Sequence, residues 1–277
     1  MSLPLSVIVP AMNEAGWIGA CLGAVASSTD AGGEVIVVAN GCTDDTADRA
    51  RALAGPLAAA GFALTVLETP ALGKPAALDA GDAAARFPTR VYLDADVTVS
   101  APLLGQIARA LDRPEARLAS GTPQIAPARS AVSRAYGRFW VRLPFVAQGC
   151  PAFGLYAVNA AGRARWGRFP AVISDDGFVR LSFAPAERLR LPASYAWPIV
   201  EGLGALVRVR RRQDRGNAEL ARLFPALMAN EDTAAPGAGG MLRRLLADPP
   251  AFAAYAAVKL AVRLGGRGQS ADWVRGR

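Results

Sequence analysis

The sequence contains no histidine among its 277 residues, and this absence excludes several common kinds of catalytic site. Ser-His-Asp catalysis, Cys-His catalysis and histidine-ligated zinc all require an imidazole. A general base in this chain must therefore be a carboxylate, a lysine, a tyrosine or a cysteine.

Cysteine is also scarce. The three cysteines, Cys21, Cys42 and Cys150, lie far apart in the sequence and form no Cys-x-x-Cys pattern. We interpret them as small, buried apolar residues. Their odd number is typical of a protein from a reducing compartment, so we expect a cytoplasmic location.

Long apolar runs are missing as well. No uninterrupted apolar run reaches the roughly 18 residues that a membrane-spanning helix needs. The N-terminal apolar run lacks a basic start and ends at Asn13, which favours a buried first strand over a signal peptide. The apolar-basic segment Ala251–Leu264 has two open interpretations. It packs on the protein's own core, or it lies on the cytoplasmic face of a membrane with Lys259 and Arg263 near the lipid headgroups.

The charges are divided unevenly along the chain. The net charge is +8, yet residues 1–112 hold 6 basic and 12 acidic residues, whereas residues 113–277 hold 25 and 11. The acidic half suits a metal site. The basic half suits a diphosphate, an anionic acceptor or an anionic membrane surface, and nucleic acid is not among the predicted partners.

Strand and helix patterns alternate through the first half. This alternation predicts βαβ units and an α/β fold with a mostly parallel sheet flanked by helices. One of the predicted helices is long and spans Asp44–Ala60. Ligands of such sheets bind beyond the carboxyl ends of the strands. The predicted strands are Leu5–Pro10, Glu34–Ala39, Leu64–Glu68 and Arg90–Asp94, and the loops expected at the site are Pro10–Glu14, Asn40–Asp45, Leu72–Lys74 and Asp94–Asp96.

The second half shows a more mixed pattern. We predict a donor half over 1–112, an acceptor half of the same domain over 113–231, and a linker with a C-terminal helical tail over 232–277. The loose linker is expected at Asp232–Gly240, and a pair of helical segments at Met241–Leu264. The other predicted elements are a strand at Leu118–Ile125, helices at Ser130–Arg142 and Asp175–Phe183, and an extended glycine-rich segment at Gly149–Val158, while Glu201–Arg215 ends in a run of arginines.

Two carboxylates follow the fourth predicted strand directly. Asp94 and Asp96 are alternate residues at a strand exit, so both can reach one pocket once the backbone turns. Oxygen ligands of this kind suit Mg²⁺ or Mn²⁺, with substrate phosphates and water completing the shell. By itself the triplet is a weak signal, because solvated loop acids often show the same spacing.

Four segments together carry a resemblance to a known family. VIVPAMNE, VVANGCTDDT, LGKPAALDAG and VYLDADV occur in this order within residues 3–100. They resemble the donor half of a family 2 glycosyltransferase, which has a GT-A fold. The resemblance implies a nucleotide diphospho-sugar as donor, a divalent cation (Mn²⁺ or Mg²⁺) as cofactor, and a saccharide or lipid-linked acceptor.

The resemblance also implies roles for single residues. It implies that Pro10, Glu14 and Asn40 lie around the nucleobase and ribose, and that Lys74 lies near the base or the phosphates. It places Asp94 near the ribose or sugar and Asp96 on the metal. The family usually has aspartate at the position of Asn40, so base recognition here is expected to differ. Asn13 and Asp44, in the same loops, are further candidates for donor binding, with ordinary turn and capping chemistry as the alternative.

An acidic pair in the second half resembles the family's catalytic carboxylates. Ile173-Ser174-Asp175-Asp176 matches the segment whose second acid deprotonates the acceptor hydroxyl. Carried over, Asp176 is the base and Asp175 its neighbour. The alternative is a pair of acids that caps a helix.

An arginine-rich segment follows. Arg212 and Arg215 could close over a diphosphate, because guanidinium groups match phosphate oxygens; a solvated basic surface is the alternative. The Gln-x-x-Arg-Trp signature of processive members is absent, since this chain has Gln213-Asp214-Arg215-Gly216. The resemblance therefore implies a non-processive, inverting transferase. Two other hypotheses remain open at this point: a nucleotidyltransferase that makes nucleotide sugars, and a non-catalytic partner subunit.

Overall fold

The computed structural model describes residues 3–232 and 237–264, and it shows eight strands in one mixed sheet. The strands are β1 (Pro4–Ala11), β2 (Gly32–Asn40), β3 (Phe62–Thr69), β4 (Thr89–Leu93), β5 (Thr98–Val99), β6 (Leu118–Ile125), β7 (Leu155–Val158) and β8 (Arg188–Trp197). Their order across the sheet is β3-β2-β1-β4-β7-β6-β8-β5.

Helices cover the sheet and extend beyond it at the C-terminal side. They are α1 (Ile18–Ala26), α2 (Thr46–Arg51), α3 (Ala54–Ala59), α4 (Lys74–Ala84), α5 (Leu103–Leu111), α6 (Ala131–Trp140), α7 (Pro144–Ala147), α8 (Ala160–Arg163), α9 (Asp175–Leu181), α10 (Leu203–Leu223), α11 (Ala238–Ala247) and α12 (Pro249–Leu264). Short 3₁₀ helices occupy Pro185–Glu187 and Pro225–Asn230.

The first half has the predicted βαβ architecture, which is confirmed. β1 pairs in parallel with β2 and β4, and β2 pairs in parallel with β3. Every residue of β1 from Leu5 onward is buried, as expected for a strand covered on both faces. Because the four strands run in parallel, their carboxyl ends meet at one edge of the sheet. The loops that follow Ala11, Asn40, Thr69 and Leu93 start there.

The second half adds antiparallel pairing. β7 pairs antiparallel with β4 and with β6, whereas β8 runs parallel to β6 with an irregularity between Ser120 and Thr122. The glycine-rich segment predicted to be extended forms a strand only at Leu155–Val158. β8 has no counterpart among the predicted elements. Its burial does not alternate regularly, so it lacks the period-two pattern that identifies a strand in a sequence.

The predicted long helix at 44–60 is wrong in one respect, because it is two helices. α2 ends at Arg51 and α3 begins at Ala54. Pro56 explains the break: within a continuous helix its ring would clash with the carbonyl group four residues earlier, whereas the first turn of a new helix tolerates it. The arginine-rich segment that ends at Arg215 lies within α10, which continues to Leu223.

The C-terminal pair of helices packs on the protein itself. In α12, Ala251, Ala254 and Val258 are buried, and the Tyr255 ring stacks on Phe139 of α6 with centroids 4.3 Å apart. Leu260 and Leu264 of the same helix are 56% and 76% exposed. Within residues 3–232 and 237–264, no helix has the length and apolarity needed to cross a bilayer.

The structure describes only part of the predicted linker. Residues 233–236, and the predicted loose terminus from 265 onward, lie outside the described residues. Ala238–Gly240, expected to be linker, form the first turn of α11 instead. Packing of α11 against α12 offsets the low helix propensity of its two glycines.

A buried carboxylate ties β1, β2 and the end of α4 together. Glu34 is 2% exposed, and it accepts hydrogen bonds from Ser6 Oγ (2.7 Å), Arg86 N (2.6 Å) and Arg86 Nε (2.8 Å). Burial by itself would raise the pKa of Glu34, but these bonds outweigh it and hold the pKa below its ordinary value.

We therefore expect Glu34→Gln to lower the free energy of unfolding at pH 7 by about 1–3 kcal/mol. The carboxylate's contribution is present above the pKa of the unfolded chain and is lost as the pH falls through the lowered folded-state pKa. The difference in free energy of unfolding between wild type and variant should therefore become smaller in acid. Urea unfolding between pH 7 and pH 3 measures it, with the exposed Glu115→Gln as control; a difference that stays constant with pH would contradict the assignment.

Candidate functional site

The first two loops at the sheet edge are joined by hydrogen bonds. Asn13 Oδ1 accepts from Thr43 N at 2.7 Å, and Glu14 N donates to Thr46 Oγ1 at 2.7 Å. Asp44 Oδ2 accepts from Ala15 N at 3.2 Å. Asn13, Glu14 and Asp44, which the sequence predicts at the site, thus lie together. Pro10 lies beside them in the chain but is buried within β1.

Asn40 joins the second loop to the third. It is fully buried, and its Oδ1 accepts from Leu72 N at 2.9 Å and from Thr69 Oγ1 at 3.3 Å. Next to it, Gly41 has φ of 65°, and a Cβ there would overlap Ala71. Glycine is therefore required where the third loop crosses the second.

The orientation of the Asn40 amide follows from these contacts. Two donors face Oδ1, so Nδ2 must point the other way, and it is buried with no hydrogen-bond partner among the described residues. An aspartate at this position would offer an oxygen where Asn40 offers an N–H donor.

Lys74 connects the third loop to the two acidic segments. Its Nζ lies 2.9 Å from Asp94 Oδ1 and 3.1 Å from Asp175 Oδ1. The side chains of Lys74 and Asp175 are only 19% and 6% exposed. Tyr156, on β7, places its hydroxyl 3.3 Å from the other oxygen of Asp175. The cation thus joins residues from α4, the end of β4 and the start of α9.

The electrostatics of this group follow from burial and from charge. Burial by itself would lower the pKa of Lys74, but the carboxylates of Asp175 and Asp94 outweigh it and hold the pKa above its ordinary value. Burial raises the pKa of Asp175, and the charges of Asp176 and Asp94 add to this rise, while Lys74 opposes it.

Asp176 has different surroundings from its neighbour. It is half-buried, and its Oδ1 accepts from Ser174 Oγ at 2.9 Å and from Gly177 N at 2.7 Å. These bonds fix the carboxylate at the N-terminus of α9, where a negative charge is favoured.

A cavity of about 170 Å³ opens between the sheet edge, α6 and α10. Asp94, Asp96 and Arg212 all line it, as the sequence predicts for a shared donor site. Arg210 lines it too, but this arginine is paired with Asp214 at 2.7 Å. Arg215 is exposed, one turn beyond Arg212 on α10, and it is not among the residues that line the cavity. Lys74 contacts the cavity-lining Asp94, and Asp175 contacts Lys74, but Lys74, Asp175 and Asp176 are not themselves among the residues that line the cavity.

Gly154 brings the cavity's aromatic wall close to Asp94. Its carbonyl oxygen accepts from Asp94 N at 2.9 Å, and its φ is 70°. A Cβ at Gly154 would lie 2.9 Å from Trp197 Cδ1 and 3.1 Å from Val97 Cγ2. The absence of a side chain therefore lets the Trp197 ring pack directly over the strand end that carries the acids.

Comparison with known protein families matches residues 6–166 of the chain, more than half of its length, to glycosyl transferase family 2. The chain belongs to this family. It is a glycosyltransferase that uses a nucleotide sugar, and no curated protein sequence matched it.

Solved structures share the fold at low identity. Mannosyltransferase PcManGT from Pyrobaculum calidifontis, in complex with GDP-Man and Mn²⁺, is 24% identical with a TM-score of 0.58, covering 95% of this chain and 76% of that one. S. aureus TarS in complex with UDP-GlcNAc is 17% identical with a TM-score of 0.53, covering 94% and 81%. Glucosyl-3-phosphoglycerate synthase from Mycobacterium tuberculosis, in complex with Mn²⁺, UDP and phosphoglyceric acid, is 20% identical with a TM-score of 0.51, covering 79% and 78%. These likenesses confirm the GT-A fold of the transferase.

The acids of the transferase suit a divalent cation that binds together with its substrate. Among the residues that the structure describes, no group of three or more His, Cys, Asp and Glu side chains is arranged to hold a metal alone. Mg²⁺ and Mn²⁺ commonly take one or two carboxylates and complete their shell with phosphate oxygens and water. Asp94 and Asp96 both line the cavity and are placed to supply such carboxylates, and Oδ1 of Asp94 is already held by Lys74.

The sequence did not identify the apolar wall of this cavity. Tyr136 and Trp140 cluster in a predicted helix, which was a usable signal, but Trp197 lies on the unpredicted strand β8. No local pattern indicates that these rings line the same cavity as Asp94 and Asp96.

We expect Lys74→Ala to lower the free energy of unfolding of the transferase by about 3 kcal/mol, because it leaves the Asp175 charge buried without a partner. Asp175→Asn should recover part of this loss when added to Lys74→Ala, since it removes that charge. Urea unfolding at pH 7 without metal or nucleotide measures the cycle. Lys259→Ala, at the only other lysine of the chain, is the matched control. If the losses in unfolding free energy of the two single variants simply add in the double variant, Lys74 and Asp175 are not coupled.

Proposed function

We propose that the transferase moves a sugar from a nucleotide diphospho-sugar to an acceptor hydroxyl by one direct displacement with inversion at the anomeric carbon. One observation carries the proposal: Asp94, Asp96 and Arg212 line one cavity, and Lys74 ties Asp94 to the second acidic segment. The family assignment favours this reaction over a nucleotidyltransferase or a non-catalytic subunit.

The charged side of the cavity would bind the donor. Asp96 would hold Mn²⁺ or Mg²⁺, and a bound cation of this kind neutralises charge on a departing diphosphate. Asp94, held by Lys74, would orient the ribose or the sugar. Arg212 would contact the diphosphate directly, with Arg215 closing from the next turn of α10. The relatives solved with Mn²⁺ and a nucleotide support a metal-dependent donor site.

The nucleotide would bind at the loops that follow β1 and β2. Asn13, Glu14 and Asp44 are already held in a single hydrogen-bonded group there, so little reorganisation would be needed on binding. Pro10 would shape the floor of this site from within β1. Asn40 would alter base preference relative to the aspartate that is usual in the family.

Asp176 would act as the general base. The acceptor oxygen forms its bond to the anomeric carbon while the bond from that carbon to the diphosphate oxygen breaks. The hydroxyl proton passes to Asp176 Oδ2, and the electron pair of the broken bond leaves with the nucleoside diphosphate. The hydrogen bonds to Oδ1 would hold the carboxylate in place for this transfer. Asp175, the residue next to the base, would hold Lys74 in place.

The wider organisation follows from the same scheme. Residues 1–112 would form the donor half, residues 113–231 the acceptor half, and residues 232–277 a C-terminal appendage. We propose non-processive transfer in glycan or glycolipid synthesis in the cytoplasm. The basic C-terminal region would offer a peripheral contact with the cytoplasmic face of a membrane.

Asp176→Asn keeps the size of the side chain and removes the base. We expect it to lose at least about 10²-fold in transfer rate, within the roughly 10²–10⁴-fold that general-base catalysis contributes. The affinity of Asp176→Asn for the donor should stay unchanged. In the exposed control Asp112→Asn, both the transfer rate and the donor affinity should stay unchanged. Release of nucleoside diphosphate in the presence of acceptor measures the rate. Near wild-type transfer by Asp176→Asn would refute the base assignment.

Asp96→Ala tests the metal. We expect it to abolish the part of donor binding that depends on Mn²⁺, because the remaining carboxylate, Asp94, is engaged by Lys74. Titration calorimetry of UDP-, GDP- and dTDP-sugars with and without Mn²⁺ measures this effect. Asp48→Ala removes an acid that is 82% exposed and off the cavity lining, so it should bind like wild type. If donor binding depends on Mn²⁺ equally in Asp96→Ala and in wild type, Asp96 does not hold the metal.

A further inference from the structure

The cavity beside Asp94 is lined by two chemically different sets of residues. One set, the charged side, comprises Asp94, Asp96, Arg210 and Arg212, with Gln213 and Tyr136 as further polar residues. The other set, the apolar side, comprises side chains that offer almost no hydrogen-bonding groups to a ligand: Trp140, Trp197, Pro198, Ile199, Val200, Leu206 and Val209. Both sets line the same cavity of about 170 Å³.

The proposed donor accounts for only one of these sides. Carboxylates would hold the metal ion and a guanidinium would hold the diphosphate, and all of these groups lie on the charged side. The apolar side is left for the second substrate. A sugar ring carries hydroxyl groups around its edge, and burying them against aliphatic side chains such as Ile199, Leu206 and Val209 would leave them without hydrogen bonds. An apolar body would bury its surface there at no such cost.

The apolar side is held rigidly in place. The rings of Trp140 and Trp197 stack with centroids 5.4 Å apart, and Phe153 packs edge-on against both, at 4.9 and 5.2 Å. Behind Tyr136, α12 closes the cluster, because the Tyr255 ring stacks on Tyr136 at 5.8 Å. A wall fixed by such contacts needs little ordering when a ligand binds.

We infer that the acceptor is an amphiphilic alcohol, in which the reacting hydroxyl is attached to an apolar body that binds the wall formed by α6, α10 and residues 197–200. The inference rests on the proposed function, since it assigns the second substrate of the same reaction. An apolar cavity of about 150 Å³ takes a benzene ring. The cavity here would therefore hold the part of the apolar body next to the hydroxyl, and the rest would extend from its mouth.

Binding of primary alcohols tests the apolar wall without requiring turnover. Two of the chain's five tryptophans, Trp140 and Trp197, line the cavity, so tryptophan fluorescence reports occupancy. We expect affinity to rise about fourfold for each methylene from 1-butanol to 1-octanol, and then to level off as the cavity fills. Affinity that does not depend on chain length would overturn the inference.

A pair of variants on one helix locates the binding site. Val209 lines the cavity, whereas Val207, two residues away, packs against the same hydrophobic cluster but lies off the lining. Val209→Asn should weaken 1-octanol binding about tenfold, and Val207→Asn should change it less than about twofold. Val209→Leu, which keeps the apolar surface, should bind like wild type. Equal effects of the two asparagine variants would overturn the assignment of the wall.

Transfer assays then identify the source of the alcohol. With whichever nucleotide sugar binds in the presence of Mn²⁺, a long-chain alcohol is offered in detergent micelles or in phosphatidylcholine vesicles, beside soluble mono- and oligosaccharides. Transfer to the alcohol supports the inference. Faster transfer to the alcohol in vesicles identifies a membrane-embedded acceptor, and faster transfer to the alcohol in micelles identifies a free one. Transfer to the soluble saccharides alone would overturn it.

The two proposals fail in different ways. If no nucleotide sugar binds or reacts, the proposed function fails even where alcohols bind at Val209. If nucleotide sugars bind normally in wild type but alcohols show no preference for the wall, only the acceptor inference fails. A far-UV circular dichroism spectrum and a urea unfolding midpoint like those of Val207→Asn show that Val209→Asn is folded.

Discussion

The ammonium group of Lys74 is the charge on which the rest of the site depends. It lies between Asp94 and Asp175, carboxylates that belong to different halves of the chain. Because both Lys74 and Asp175 are largely shielded from water, removing either group leaves a buried charge without compensation, which costs several kcal/mol. This ion bridge therefore fixes the start of α9, and with it Asp176, relative to the end of β4.

Close backbone approaches make the bridge possible. Gly41 lets the third loop cross the second, so that α4 begins where Lys74 can reach the acids, and Gly154 lets Trp197 pack over the strand that carries Asp94. Hydrogen bonds among Asn13, Asp44 and their neighbours hold the first two loops together. The site is thus formed before any substrate binds, which limits the ordering that binding must supply.

The first half of the chain was predictable because its signals are local. Each parallel strand is a short apolar run, and each motif follows its own strand, so the topology of a βαβ sheet brings Asn40, Lys74 and Asp94 to one edge. The second half of the chain was harder to predict. β8 lacks a periodic pattern and pairs with residues about 70 positions away, and the distinct surroundings of Asp175 and Asp176 come from contacts with Lys74 and Ser174 rather than from sequence spacing.

The sequence by itself determined the chemistry that is available: no imidazole, an acidic first half, a basic second half, and four ordered motifs that resemble family 2 glycosyltransferases. Only the tertiary structure decided which of these residues share a site. It joined Asp94, Asp96 and Arg212 around one cavity, left Arg215 outside its lining, and placed an apolar wall in the same cavity as the acids. The reason is physical. Residue type and local pattern fix charge, hydrogen-bonding capacity and strand propensity, whereas contacts between residues 60 to 120 positions apart depend on how the whole sheet and its helices pack.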